Sequence, residues 1–172
     1  MSLIFLIGMP GAGKTHWGRI WAKAAGFDFA DLDAEVETRA GLIIPDIFKS
    51  VGESGFRALE AAVLLNTIAA TRDHDTVVAT GGGTPAFDSN LITMLRAGCV
   101  VYLRAATETI LNNIRHNDIS RPLLHHPDTA SLDKLLEARR PFYERAHICI
   151  DVEQIGTNTF AQILKKCTDR PL

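Results

Sequence analysis

Cysteine is scarce in this chain, charge of neither sign dominates, and no apolar run is long enough to matter to a membrane. The three cysteines, Cys99, Cys149 and Cys167, are an odd number, far apart, and fall in no C-x-x-C or Cys/His pattern. That removes a metal or redox motif defined by spacing. Cys99 and Cys149 sit inside apolar runs, where a thiol serves as a small core hydrophobe, and the set fits a reducing compartment. Net charge is −2 over 172 residues, so no overall field favours a nucleic acid or a membrane surface as partner. Any anion must be held by a local site. The opening apolar run, LIFLIG, is too short for a signal-peptide core or a bilayer span. A cytoplasmic location is therefore the expectation. Repeats, linkers, low-complexity stretches and heptads are also missing, which leaves one domain, 1–172, and a monomer as the expected organisation.

What is there is a soluble-globular composition, 47% hydrophobic and 22% charged. Short apolar, β-branched runs recur at Leu3 to Ile7, Phe27 to Leu32, Thr76 to Thr80, Cys99 to Leu103 and His147 to Val152. Stretches of helical periodicity separate them: Lys14 to Ala25, Asp33 to Ala40, Ile44 to Val51, Glu53 to Arg72, Ser89 to Ala97, Thr107 to Arg115, Ser131 to Arg145 and Thr157 to Cys167. Strands that are apolar almost throughout, alternating with helices, predict a five-stranded, mostly parallel sheet in a three-layer α/β/α domain. Residues 116–129, HNDISRPLLHHPDT, read as a long surface loop, and loops of that length in a compact domain are often lids.

GMPGAGKT, residues 8–15, satisfies G-x-x-x-x-G-K-[ST] through Gly8, Gly13, Lys14 and Thr15. A hydrophobic strand feeds it and an amphipathic helix follows, the placement that aims backbone N–H groups and a helix N-terminus at an anion. Lys14 is expected to reach the β- and γ-phosphates of a nucleotide, and the Thr15 hydroxyl to ligate Mg²⁺. Trp17 and Trp21, one turn apart on the following helix, are read as a core stripe.

The loop alone does not separate GTPases, motors and small-molecule kinases. After the second strand comes D-L-D, placing Asp31 and Asp33 at the sheet edge where open α/β folds bind ligands. Both face one cleft if the extended conformation persists, although Asp33 also suits a helix cap. Arg57 and Glu60 are three apart on a helix, either an ordinary ion pair or, between Phe48 and Phe56, a clamp for an anionic substrate. Gly81, Gly82 and Gly83 end the third strand, which calls for a close approach of backbone to ligand or a plain turn.

Taken in order, GMPGAGKT, D-L-D, IPDIF with GESGFRALE, GGGTP, SRPLL and EARRPFYERA resemble the shikimate kinase family, a nucleoside-monophosphate-kinase-like P-loop fold, over about Leu3 to Ile150. The resemblance implies an Mg²⁺-dependent transfer of the ATP γ-phosphoryl group to the 3-hydroxyl of shikimate. It implies catalytic roles for Lys14, Asp33 and Arg121, the last from the lid. Nucleotide contacts fall to Gly11, Ala12, Gly13, Lys14, Thr15, His16 and Arg121, and metal contacts to Thr15 and to Asp31 through water. Asp33, Arg57, Gly81, Gly82, Gly83 and Arg139 are implied as shikimate contacts, with Glu60 orienting Arg57; Arg140 is read as a solvated helix charge. Where the family often stacks an arginine on adenine, this chain has Ile114, so adjacent Arg115 takes that expectation. His125, His126 and Asp128 lack the rigid spacing of a metal site and are expected in solvent. The alternatives are a related small-molecule kinase, gluconate-kinase-like, or a degenerate nucleotide-binding regulator.

Overall fold

The structure, a computed structural model, describes residues 2–87, 89–116 and 128–169. The elements run β1 (Leu3–Ile7), α1 (Lys14–Ala25), β2 (Asp28–Asp31), α2 (Leu32–Ala40), α3 (Ile44–Ala70), β3 (Thr76–Ala79), α4 (Asn90–Ala97), β4 (Cys99–Arg104), α5 (Thr107–His116), α6 (Thr129–Tyr143), β5 (Ile148–Asp151) and α7 (Thr159–Thr168). The five strands form one sheet in the order β2-β3-β1-β4-β5, and every pairing is parallel. β1 sits at the centre, flanked by β3 and β4, so the segment leaving its C-terminal end opens where the chain changes sides. Ligands of open parallel sheets bind at that point.

Side-chain alternation along the strands feeds two cores. Phe5 and Ile7 of β1, with Val78, Val100 and Tyr102, pack under α2 to α6. Ile4 and Leu6, with Val77, Val101 and Leu103, pack on the other face against Trp21 of α1 and Phe160 and Ile163 of α7. The Trp17–Trp21 stripe belongs to this second layer: Trp21 stacks on Phe160 at 5.4 Å between ring centroids, the core role expected of it.

α3 is broken at Gly52, whose φ of 69° and ψ of −177° no helix can hold. The two predicted helices, Ile44 to Val51 and Glu53 to Arg72, are thus seen on either side of that kink, the second ending at Ala70. β2 stops at Asp31, one residue short of its prediction: Leu32 looks like strand but opens α2, with its side chain fully buried. α6 begins at Thr129, earlier than Ser131, because the Asp128 side chain caps it by accepting from Ser131 N at 2.7 Å.

The cysteines depart from expectation. Cys99 is buried in the core as read, but it is bonded to Cys167, 68 residues away, with Cα atoms 5.7 Å apart. The bridge fastens α7 to β4, and no spacing rule reaches that far. Cys149 is exposed, not buried, because β5 is an edge strand. Among the described residues, no helix is long and apolar enough to cross a membrane.

Candidate active site

The donor side is built by one contiguous segment. Gly11 and Gly13 hold φ of 83° and 87°, left-handed values that let the loop curl and deliver Lys14 to the first position of α1. The buried Lys14 Nζ donates to the carbonyls of Gly8 at 2.8 Å and Met9 at 2.9 Å, so the ammonium braces the loop it belongs to. α5 closes the other flank: Asn113 Nδ2 donates to Gly11 O at 2.8 Å. A Cβ built on Gly11 would lie 3.1 Å from both Ile110 O and an Ile114 side-chain carbon. Asn113 was not legible in the sequence, since its contact spans 102 residues. His16, in the first turn of α1, and Arg115, next to Ile114, are both exposed; Ala12 is buried within the loop.

The Thr15 hydroxyl donates to Asp31 Oδ2 at 2.6 Å, joining the loop to the end of β2. Asp31, not Asp33, is the helix cap: its other oxygen accepts from Asp33 N at 3.0 Å and Ala34 N at 3.4 Å. Extended conformation ends at Asp31, so the two carboxylates do not share one strand face. Asp33 instead projects from the first turn of α2 against the triple glycine, and a Cβ on Gly81 would lie 2.8 Å from Asp33 Oδ1.

Those glycines have a further reason within the protein itself. Side chains of the site itself occupy the space a Cβ would need: Glu60, Asp33 and Thr84 at Gly81, Pro10 at Gly82, and both Arg57 Nη atoms, 2.5 Å away, at Gly83. Any larger residue here displaces the polar groups at Gly81 and Gly83 or the proline at Gly82.

The acceptor side gathers four elements. Arg57 Nη1 donates to Glu60 Oε2 at 2.9 Å, Nη2 approaches Glu53 Oε1 at 3.5 Å, and the guanidinium lies 5.2 Å from the Phe56 ring centre. Phe48 packs on Phe56 with ring centres 4.5 Å apart. Arg57 and Glu60 are 6% and 1% exposed, far from an ordinary surface pair. Burial pushes the Glu60 carboxyl above the usual carboxylate range, opposed by its bond from Thr84 and by Arg57, and reinforced by Asp33.

From α6, Tyr143 donates its hydroxyl to Gly82 O at 2.6 Å and reaches Met9 Sδ at 3.8 Å. Burial pushes this phenol up to about 12, against the pull of Arg139 and Arg57, so both guanidiniums act on one buried hydroxyl. Arg139 is buried, and its Nη1 has no hydrogen-bond partner among the described residues. A buried, unsatisfied guanidinium N–H costs on the order of 1–3 kcal/mol or more, and a ligand anion relieves it. Arg140, its neighbour, is exposed. Arg121, His125 and His126 lie outside the described residues, and Asp128 is exposed as expected.

For a divalent ion the protein offers one hydroxyl and one carboxylate, Thr15 and Asp31, at one place. Mg²⁺ takes few protein oxygens and completes its octahedron with phosphates and water, so this donor set fits it.

A central parallel-sheet loop of the Walker type, with a helix-capping aspartate beside it and buried arginines on α3 and α6, defines a P-loop phosphotransferase. The shikimate kinase family model matches residues 10–168. A shikimate kinase from a Synechococcus strain is 42% identical over 159 residues, covering 92% of this chain and 81% of that protein. The Acinetobacter baumannii shikimate kinase, solved in complex with shikimate, superposes with a TM-score of 0.83 at 35% identity, over 96% of this chain and 90% of that one. The chain belongs to the shikimate kinase family. A gluconokinase from Sinorhizobium meliloti, at 18% identity and a TM-score of 0.55 over 96% of this chain and 89% of that one, shares the fold alone.

Proposed function

We propose that this enzyme transfers the γ-phosphoryl group of ATP to the 3-hydroxyl of shikimate, giving ADP and 3-phosphoshikimate for aromatic amino-acid biosynthesis. The observation that carries this reading is the Nη1 of buried Arg139, which has no hydrogen-bond partner among the described residues, on a guanidinium that acts with Arg57 on Tyr143. Two buried guanidiniums beside a triple-glycine turn suit the carboxylate of a small hydroxy acid.

ATP lies along the backbone of residues 11–16, with the helix N-terminus of α1 and Lys14 facing its phosphates. Lys14 exchanges its loop carbonyls for phosphate oxygens and stabilises charge as the terminal group leaves. Thr15 and, through water, Asp31 would hold Mg²⁺, which would supply charge neutralisation to the phosphate oxygens. Shikimate is gripped by Arg57 and Arg139, its hydroxyls set by Asp33 and residues 81–83. The acceptor oxygen bonds to phosphorus as the bond to the ADP oxygen breaks, and its proton passes to the Asp33 carboxylate. Glu60 holds Arg57. Arg115 is assigned to the adenine and His16 to the nucleotide. The working unit is one domain and a monomer.

ADP release measured with shikimate, with gluconate and with no added acceptor tests the reading. Release that depends on shikimate supports it. Equal release with gluconate transfers the protein to the gluconate-kinase-like alternative, and binding of both substrates without turnover favours the regulatory one. We also place the enzyme in the cytoplasm, where reducing systems act on the Cys99–Cys167 pair. Two extra free thiols in protein trapped by acid from cells support that placement, and a closed pair opposes it.

A further inference from the structure

Thr84 is fully buried, follows the triple glycine and has no role in the reaction described above. Its backbone is pinned: Thr84 N donates to Gly81 O at 3.2 Å, and Asn90 Nδ2 of α4 donates to Thr84 O at 3.1 Å. Pro85 follows within the short 3₁₀ turn Thr84–Ala86, further fixing the hydroxyl's position. That hydroxyl donates to Glu60 Oε1 at 2.5 Å, while the other Glu60 oxygen accepts from Arg57 Nη1 at 2.9 Å. A buried carboxylate needs a donor on each oxygen to hold one rotamer, and here each has one.

We propose that Thr84 is a positioning residue for the acceptor clamp: its hydroxyl fixes the Glu60 carboxylate, and the fixed carboxylate sets the plane in which Arg57 meets the substrate carboxylate. The inference rests on the acceptor reading above. Buried with no exposed surface, Thr84 acts through Glu60 and touches no substrate. Without the hydroxyl, Glu60 Oε1 faces Asp33 and the Gly81 backbone with no donor, so the carboxylate turns or takes up a proton. In either case Arg57 loses a rigid partner.

The charged and titratable groups around the relay are Arg57 and Glu53 on α3, Asp33 on α2, and Arg139 and Tyr143 on α6. Burial already raises Glu60, and the Thr84 bond is the foremost influence lowering it. Removing that bond raises Glu60 further. The ionised form is the one that orients Arg57, so activity is lost as pH falls through the Glu60 pKa, and the variant loses it at a higher pH.

The test compares wild type, Thr84→Val, Thr84→Ser and Thr84→Ala in steady-state assays with shikimate and ATP across pH, alongside thermal melts. Thr84→Val keeps the shape without the hydroxyl and is expected to raise the shikimate KM roughly tenfold. The ATP KM stays unchanged, and the acid limb of kcat/KM for shikimate moves to higher pH. Thr84→Ser is expected to restore both. If Thr84→Val does not fold, Thr84→Ala carries the same expectation. A lowered melting temperature with unchanged shikimate KM and pH limb, or a serine variant as impaired as valine, overturns the proposal. Wild-type turnover in the same assay reports the acceptor reading separately; if shikimate is not phosphorylated at all, that reading fails and this one falls with it.

Discussion

On the donor side, Lys14 bonds carbonyls five and six residues back, within the segment that forms the loop. On the acceptor side, Thr84 reaches Glu60 across 24 residues and Tyr143 reaches Gly82 across 61. The donor cradle therefore takes its lysine and its backbone curl from one local segment, braced from outside by Asn113 of α5 and Asp31 of β2. The acceptor clamp exists only when α3, the turn after β3 and α6 are docked on the sheet together. The two sides meet where Gly82 packs on Pro10 and Tyr143 reaches Met9, and again where Asp33 N donates to Asp31 Oδ1.

The largest separation of the two sides comes from Lys14→Ala. It removes the charge facing the transferred group, and kcat is expected to fall by roughly 10³-fold. Shikimate binding measured by calorimetry stays unchanged. A parallel loss of shikimate affinity would mean that the cradle and clamp are one structure and would break the comparison. A smaller effect marks their junction. Tyr143→Phe leaves the ring against Tyr102 but strips Gly82 O of its donor. Both the ATP and the shikimate KM are expected to rise about three- to tenfold. A change confined to one substrate would assign Tyr143 to that side only.

The same contrast governs how much was readable from sequence. The phosphate loop was legible whole, because its pattern and context lie within residues 3–25. The division of α3 at Gly52 and the parallel sheet also followed from local signals, a glycine and the apolar strand pattern. β2 was drawn too long because Leu32, apolar and buried, reads alike in a strand end and a helix start. The triple glycine was recognisable as an anomaly, but its cause lies in side chains from α2, α3 and the phosphate loop that no local pattern reveals. Asn113, Thr84 and the Cys99–Cys167 bridge escaped notice for the same reason: each acts across at least 24 residues of chain through sheet packing.

The central claim is that the buried Nη1 of Arg139, which has no partner among the described residues, waits for the carboxylate of the acceptor. Its most direct test is a two-by-two comparison of kcat/KM for shikimate and its methyl ester in wild type and in Arg139→Ala. Losing one charge-assisted contact is expected to cost wild type about 10²-fold when the carboxylate is esterified. In Arg139→Ala that penalty should shrink by at least about tenfold, because the partner is already gone. An ester penalty of the same size in both enzymes would contradict the account.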